Sequence, residues 1–111
     1  MPEVSQDDLK RAIEAQHDGT ATFVQAVHVT EKAKIETRRG RVAQTREVTV
    51  WDGMVYIFDL AGHPKAKRAY AWSSELDDGK RRIYAVLRMG RVTGPVEAVR
   101  AAMVAERDGK T

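Results

Sequence analysis

The sequence predicts an α+β domain: an antiparallel sheet of four or five strands, with one helix before it and one after it (α-β-β-β-β-α). Three observations predict it. The two ends of the chain place apolar residues at helical spacing, residues 21–89 alternate with a period of two, and two Asp-Gly pairs punctuate that alternation. With 111 residues the chain has room for one core, so residues 1–111 are expected to form a single domain.

The first helix has a complete start signal. Ser5 can cap it, Asp8 three positions on completes a capping box, and Val4 with Leu9 matches a hydrophobic staple. Leu9, Ala12 and Ile13 form one narrow apolar stripe, and Gly19 is expected to supply the stop. Residues 22–34 are rich in Val, Thr and Phe and read as a strand that becomes charged toward its end. The run Arg38-Arg39-Gly40-Arg41 reads as a turn, followed by a strand over residues 42–51. Asp52-Gly53 then predicts a two-residue hairpin that sets Trp51 opposite Met54, Val50 opposite Val55, Val48 opposite Ile57 and Arg46 opposite Asp59. Asp78-Gly79 predicts a second one, with Asp77 facing Lys80, Glu75 facing Arg82 and Trp72 facing Ala85. The final helix starts near Gly94-Pro95, carries Val96, Val99, Ala102 and Met103 on one face, and is expected to end at Gly109.

These registers leave large side chains on both sides of the sheet. Val48, Val50, Val55 and Ile57 share one face of the first hairpin, and Trp51, Met54, Tyr56, Phe58 and Leu60 share the other. In the second, Tyr70, Trp72, Ile83 and Leu87 lie opposite Tyr84 and Val86. Two short helices are expected to cover about one such face, so a homodimer is the expected cover for the other.

Composition excludes several chemistries. The chain has no cysteine, which removes disulfides, thiolate catalysis and sulfur-ligated metals. Its start is acidic and lacks an apolar segment, and the longest strongly apolar run, residues 54–58, falls far short of the ~20 residues of a membrane helix. A cytoplasmic location without a membrane partner is expected. Charge is segregated: residues 1–20 set Lys10 and Arg11 against Glu3, Asp7, Asp8, Glu14 and Asp18. Residues 32–46 set Lys32, Lys34, Arg38, Arg39, Arg41 and Arg46 against Glu36 alone, within a net charge of +3. Cations gathered on one segment suit a polyanion, and they also suit protection of a sheet edge.

The candidate nucleic-acid-binding set is therefore Lys32, Lys34, Arg38, Arg39 and Arg41, with Arg81, Arg82 and Tyr84, expected to be an exposed ring, as secondary contacts. Arg91 and Thr93, just before the last helix, form a weaker candidate for holding an anion at free amides. Asp59 and His63, the latter between Gly62 and Pro64, form a candidate loop site, with a plain turn as the simpler reading and no nucleophile beside them. His17 suits a helix C-terminus and His28 a strand facing solvent; neither has a metal-ligand neighbour, and no metal or cofactor is expected. The order of elements resembles the double-stranded RNA-binding domain in outline. Residues 94–99, however, carry Glu97 and no lysine where that module has a lysine cluster, so the chain is not assigned to it. The expected function is a small interaction module binding nucleic acid with little sequence preference. Its rivals are a homodimeric protein-binding or assembly module and a small enzyme acting on an anionic substrate through Asp59 and His63.

Overall fold

A computed structural model describes residues 4–75 and 79–108 of the chain. The elements run α1 (Gln6–Gln16), β1 (Thr20–Arg39), β2 (Val42–Ala61), β3 (Arg68–Glu75), β4 (Arg81–Leu87) and α2 (Pro95–Asp108). The four strands form one antiparallel sheet in the order β1-β2-β3-β4, a meander flanked in sequence by the two helices. No described helix is long and apolar enough to cross a membrane.

α1 begins as its residues dictate. Ser5 Oγ accepts from the Asp8 amide at 3.2 Å, and Asp8 Oδ2 accepts from the Ser5 amide at 3.0 Å. The Ser5 amide, and after it the Ser5 hydroxyl, hold the Asp8 carboxyl below its ordinary range. The helix ends at Gln16 with His17 as its C-cap, ahead of the expected stop at Gly19. Glu14 ties the helix to β1: its Oε2 accepts from the Ala21 amide at 2.9 Å and from Lys10 Nζ at 3.1 Å.

The sheet carries one helix on each face. Leu9 and Ile13 of α1 are buried with Ala21, Phe58, Leu60, Ala69 and Ala71. Ala98 and Val99 of α2 are buried on the other side with Val29, Val55, Ile57, Tyr70 and Trp72. Alternation along β2 explains the division, because Phe58 and Leu60 point one way and Val55 and Ile57 the other. Full burial contributes about 1.5–3 kcal/mol for each large apolar side chain. The expectation that the two helices leave one face open is overturned: each face has its own helix.

The largest correction concerns Asp52-Gly53. These residues lie inside β2 and pair with Thr30 and Val29, so no hairpin forms there. Gly53 is not among the glycines with positive φ, which a type I′ turn would require. Met54 pairs with His28, Val55 with Val27, Ile57 with Gln25 and Asp59 with Thr22, in place of the expected partners on β2 itself. The actual turn is at Gly40-Arg41, where Arg39 pairs with Val42 and Gly40 has φ 61° while Arg41 stays negative, the pattern of a type II′ turn. The expected strand over 42–51 and the one expected after Asp52-Gly53 thus fuse into β2, and the sheet has four strands. Gly53 has a steric reason instead: a Cβ there would meet the Trp51 ring at 2.9 Å.

The second hairpin forms with its register displaced by one residue. Trp72 pairs with Tyr84 and Glu75 with Arg81, rather than with Ala85 and Arg82. Asp77 and Asp78 lie outside the described residues, as does Gly109. Moving one residue exchanges faces. Tyr70, Trp72, Tyr84 and Val86 consequently share the α2 side, while Ile83 and Leu87 pack with α1.

Two outcomes test this packing. Gly53→Ala forces the Trp51 indole to move and should cost about 1–3 kcal/mol in urea unfolding, as overpacking does. The Ala21 amide, and after it Lys10, hold the Glu14 carboxyl below its ordinary range. Its stabilisation is therefore present above the unfolded value of about 4.3 and lost as pH falls through the lower folded value. Glu14→Gln should flatten the loss of stability between pH 7 and pH 3 in urea titrations, and an unchanged slope would contradict the assignment.

Candidate nucleic-acid interface

β1 and β2 pair along their whole length, but β3 joins β2 only over Tyr56–Asp59. The rest of the β1–β2 ladder leaves the body as a two-stranded arm. Rungs from Lys32↔Thr49 to Arg39↔Val42 lie beyond the last contact with the helices' cores. At about 3.4 Å per residue this stretch is roughly 25 Å long. The molecule is correspondingly elongated, 57 Å in its longest dimension, with a radius of gyration of 16.3 Å. A compact domain of about 100 residues has a radius near 13 Å.

The root of the arm is built, not frayed. A register shift between Glu31 and Lys32, opposite Trp51 and Thr49, leaves Val50 as the extra residue of a β-bulge. Arg100 of α2 donates through Nε to Glu31 Oε1 at 2.7 Å, and the Glu31 side chain is only 14% exposed. This carboxylate raises the Arg100 pKa above its ordinary value. Trp51 packs edge-on against Trp72 at 6.1 Å, joining the arm's root to β3.

All five primary candidates lie on the arm, and alternation divides them. Lys32, Lys34 and Arg38 project from the α1 side together with Glu36 and Glu47. There Lys32 Nζ lies 3.4 Å from Glu47 Oε1, and Arg38 Nε lies 3.3 Å from Glu36 Oε1. Both pairs are more than half exposed and contribute about 0–1 kcal/mol. Arg39 projects from the α2 side, where Arg46 joins it, and Arg41 occupies the turn. Among the described residues no carboxylate lies within 4.0 Å of the side chains of Lys34, Arg39, Arg41 or Arg46. Arg46 belongs to the charged segment of the sequence, but the expected pairing with Asp59 does not form, and it pairs with Ile35.

The secondary candidates are elsewhere. Arg81 and Arg82 sit on β4, on opposite faces, and Arg81 donates to Ser73 Oγ at 3.2 Å. Arg81 also lines a cleft of about 420 Å3 between α1 and the diverging strands β2 and β3, beside Asp52 and Glu75. Tyr84 is not the exposed ring expected. It is half-buried and stacked on Trp72, 5.4 Å between centroids at 13°, with the Arg82 guanidinium 5.1 Å from its own centroid.

The loop candidates separate into unrelated contacts. Asp59 Oδ1 accepts from Arg68 at 3.3 Å, while His63 Nδ1 accepts the amides of Lys65 and Ala66 at 3.0 and 2.8 Å. The two side chains are therefore engaged with different partners, and Gly62 takes a φ of 86° as the plain turn requires. Before α2, Thr93 Oγ1 donates to Glu97 Oε1 at 3.4 Å, which sets a carboxylate where an anion would have to approach; Arg91 is exposed beside it. His17 faces the Ala85 carbonyl at 3.3 Å, and exposed His28 pairs with the Asp52 carboxylate, which Thr30 also contacts. Among the described residues no cluster of His, Asp and Glu could hold a metal ion.

No family model matches the chain, no curated protein matches its sequence, and no solved structure matches its fold.

The stacked ring gives a direct test of its role. Tyr84→Leu should lower stability by about 0.5–1.5 kcal/mol through loss of the aromatic pair, read as a shift in the urea midpoint.

Proposed function

We propose that the chain is a small cytoplasmic module that binds nucleic acid through its β1–β2 arm, with no catalytic step. The arm itself carries the reading. A two-stranded ribbon stands clear of the body with Lys32, Lys34, Arg38, Arg39, Arg41 and Arg46 along it, against Glu36 and Glu47. A ribbon of this width fits the major groove of duplex DNA, and ribbons are a known means of entering a groove. Phosphate neutralisation releases condensed counterions, so affinity should fall steeply with salt. The body has a different part: α2 and β3 hold the arm's root, through Arg100 on Glu31 and Trp72 on Trp51, so that the cations are presented on ordered backbone. Arg81 and Arg82 lie off the arm and would add contacts only to a ligand long enough to reach β4.

The test is fluorescence anisotropy of a labelled duplex titrated between 50 and 200 mM salt. Tight binding at low salt should weaken by orders of magnitude, and the triple variant R38A/R39A/R41A should flatten the dependence by roughly 0.9 log units per log unit of salt for each contact removed. Affinity that does not change with salt would overturn the reading. Sedimentation equilibrium on the same samples separates it from the rival, a homodimeric assembly module in which Ile35 and Val42, 45% and 61% exposed on the arm, bury against a second copy.

A further inference from the structure

We infer that the α2-side face of the arm reads base edges in the major groove of duplex DNA, with Thr37 and Gln44 as the reading pair and Arg39 and Arg46 as phosphate anchors on either side. This rests on the nucleic-acid reading above and adds to it a face, a duplex and a sequence preference.

The two faces of the arm differ in kind. The α1 side carries Glu36 and Glu47, each beside a cation, and carboxylates turned toward phosphates are repelled. On the α2 side the rungs Arg39↔Val42, Thr37↔Gln44 and Ile35↔Arg46 contain no acid. Five of these residues, Thr37, Arg39, Val42, Gln44 and Arg46, line one concavity of about 650 Å3. The coil of a two-stranded ribbon curves this face, which lets it follow a rounded surface.

Spacing favours the major groove. The rungs that hold Arg39 and Arg46 are separated by roughly 14 Å of ladder at about 3.4 Å per residue. The major groove is about 12 Å wide and the ribbon lies along it, so Arg39 on β1 and Arg46 on β2 stand on the two strands and reach toward phosphates of opposite walls. Thr37 and Gln44 then lie midway, over the base edges. An amide offers a donor and an acceptor side by side, the complement of adenine N6 and N7; a hydroxyl serves either role; and apolar Val42 and Ile35 suit the thymine methyl group. The arm thus favours a site containing an A·T pair. A-form RNA hides its base edges in a deep, narrow major groove that side chains cannot read, which selects DNA over RNA.

The experiment is selection from a randomised duplex DNA library at about 150 mM salt with the full chain, followed by anisotropy on the enriched duplex. Wild type should enrich a short motif containing an A·T pair and bind it at least about fivefold more tightly than the unselected pool. T37V/Q44L should bring that ratio close to one, whereas Thr45→Val, on the opposite face, should leave it intact. Circular dichroism confirms folding of each variant, all substituted positions being exposed. Enrichment that survives T37V/Q44L, or equal binding of an RNA duplex of the same sequence, overturns the inference. So does salt-dependent binding to the pool with no motif enriched, and in that case the polyanion reading stands. No binding to any duplex removes that reading and this inference together.

Discussion

The molecule depends on one long antiparallel ladder, running from Thr20↔Ala61 to Arg39↔Val42 with register shifts at Val24 and Val50. Because side chains alternate across it, the same two strands supply residues to two separate cores. Phe58 and Leu60 go to α1, and Val55 and Ile57 go to α2. Neither helix could stand alone: α1 has only a narrow apolar stripe and α2 a short one, and short helices are marginal without a surface to lie on. The ladder provides that surface on both sides at once.

Beyond the helices the same ladder has no third strand, and a lone two-stranded ribbon is marginal in water. The arm is held at its two ends. At the root, the bulge at Val50, the Arg100–Glu31 bond and the Trp51–Trp72 contact fix it to the body. At the tip, Gly40 supplies the positive φ of a turn whose twist matches the strands. Exposed edges would otherwise invite pairing with another chain, and lysine and arginine along them discourage it. The charge that protects the arm is also the charge that would draw it to phosphate.

How legible this was in the sequence depended on how far each signal reached. The capping box at Ser5 and Asp8, the turn at Gly40 and the proline start of α2 involve neighbours within a few residues, and each formed as expected. Asp52-Gly53 carries an equally strong local turn signal and yet lies in a strand. A turn there would have closed a short hairpin; extending β2 past it keeps Val55, Ile57, Phe58 and Leu60 in register with β1 and both cores filled. The one-residue displacement beside Gly79 had larger consequences than its size suggests. It moved Tyr84 from a solvent-facing ring to one stacked on Trp72.

The sequence by itself determined the α+β class, the helix starts, the tip of the arm and the concentration of cations on residues 32–46, since these follow from local propensity, periodicity and composition. Tertiary structure alone decided that the cations stand on a projecting ribbon, that Arg39 and Arg46 face away from Glu36 and Glu47, and that each sheet face has its own helix. Those properties depend on register, and register is chosen by the burial of side chains distant in sequence, which competes with every local turn signal along the way.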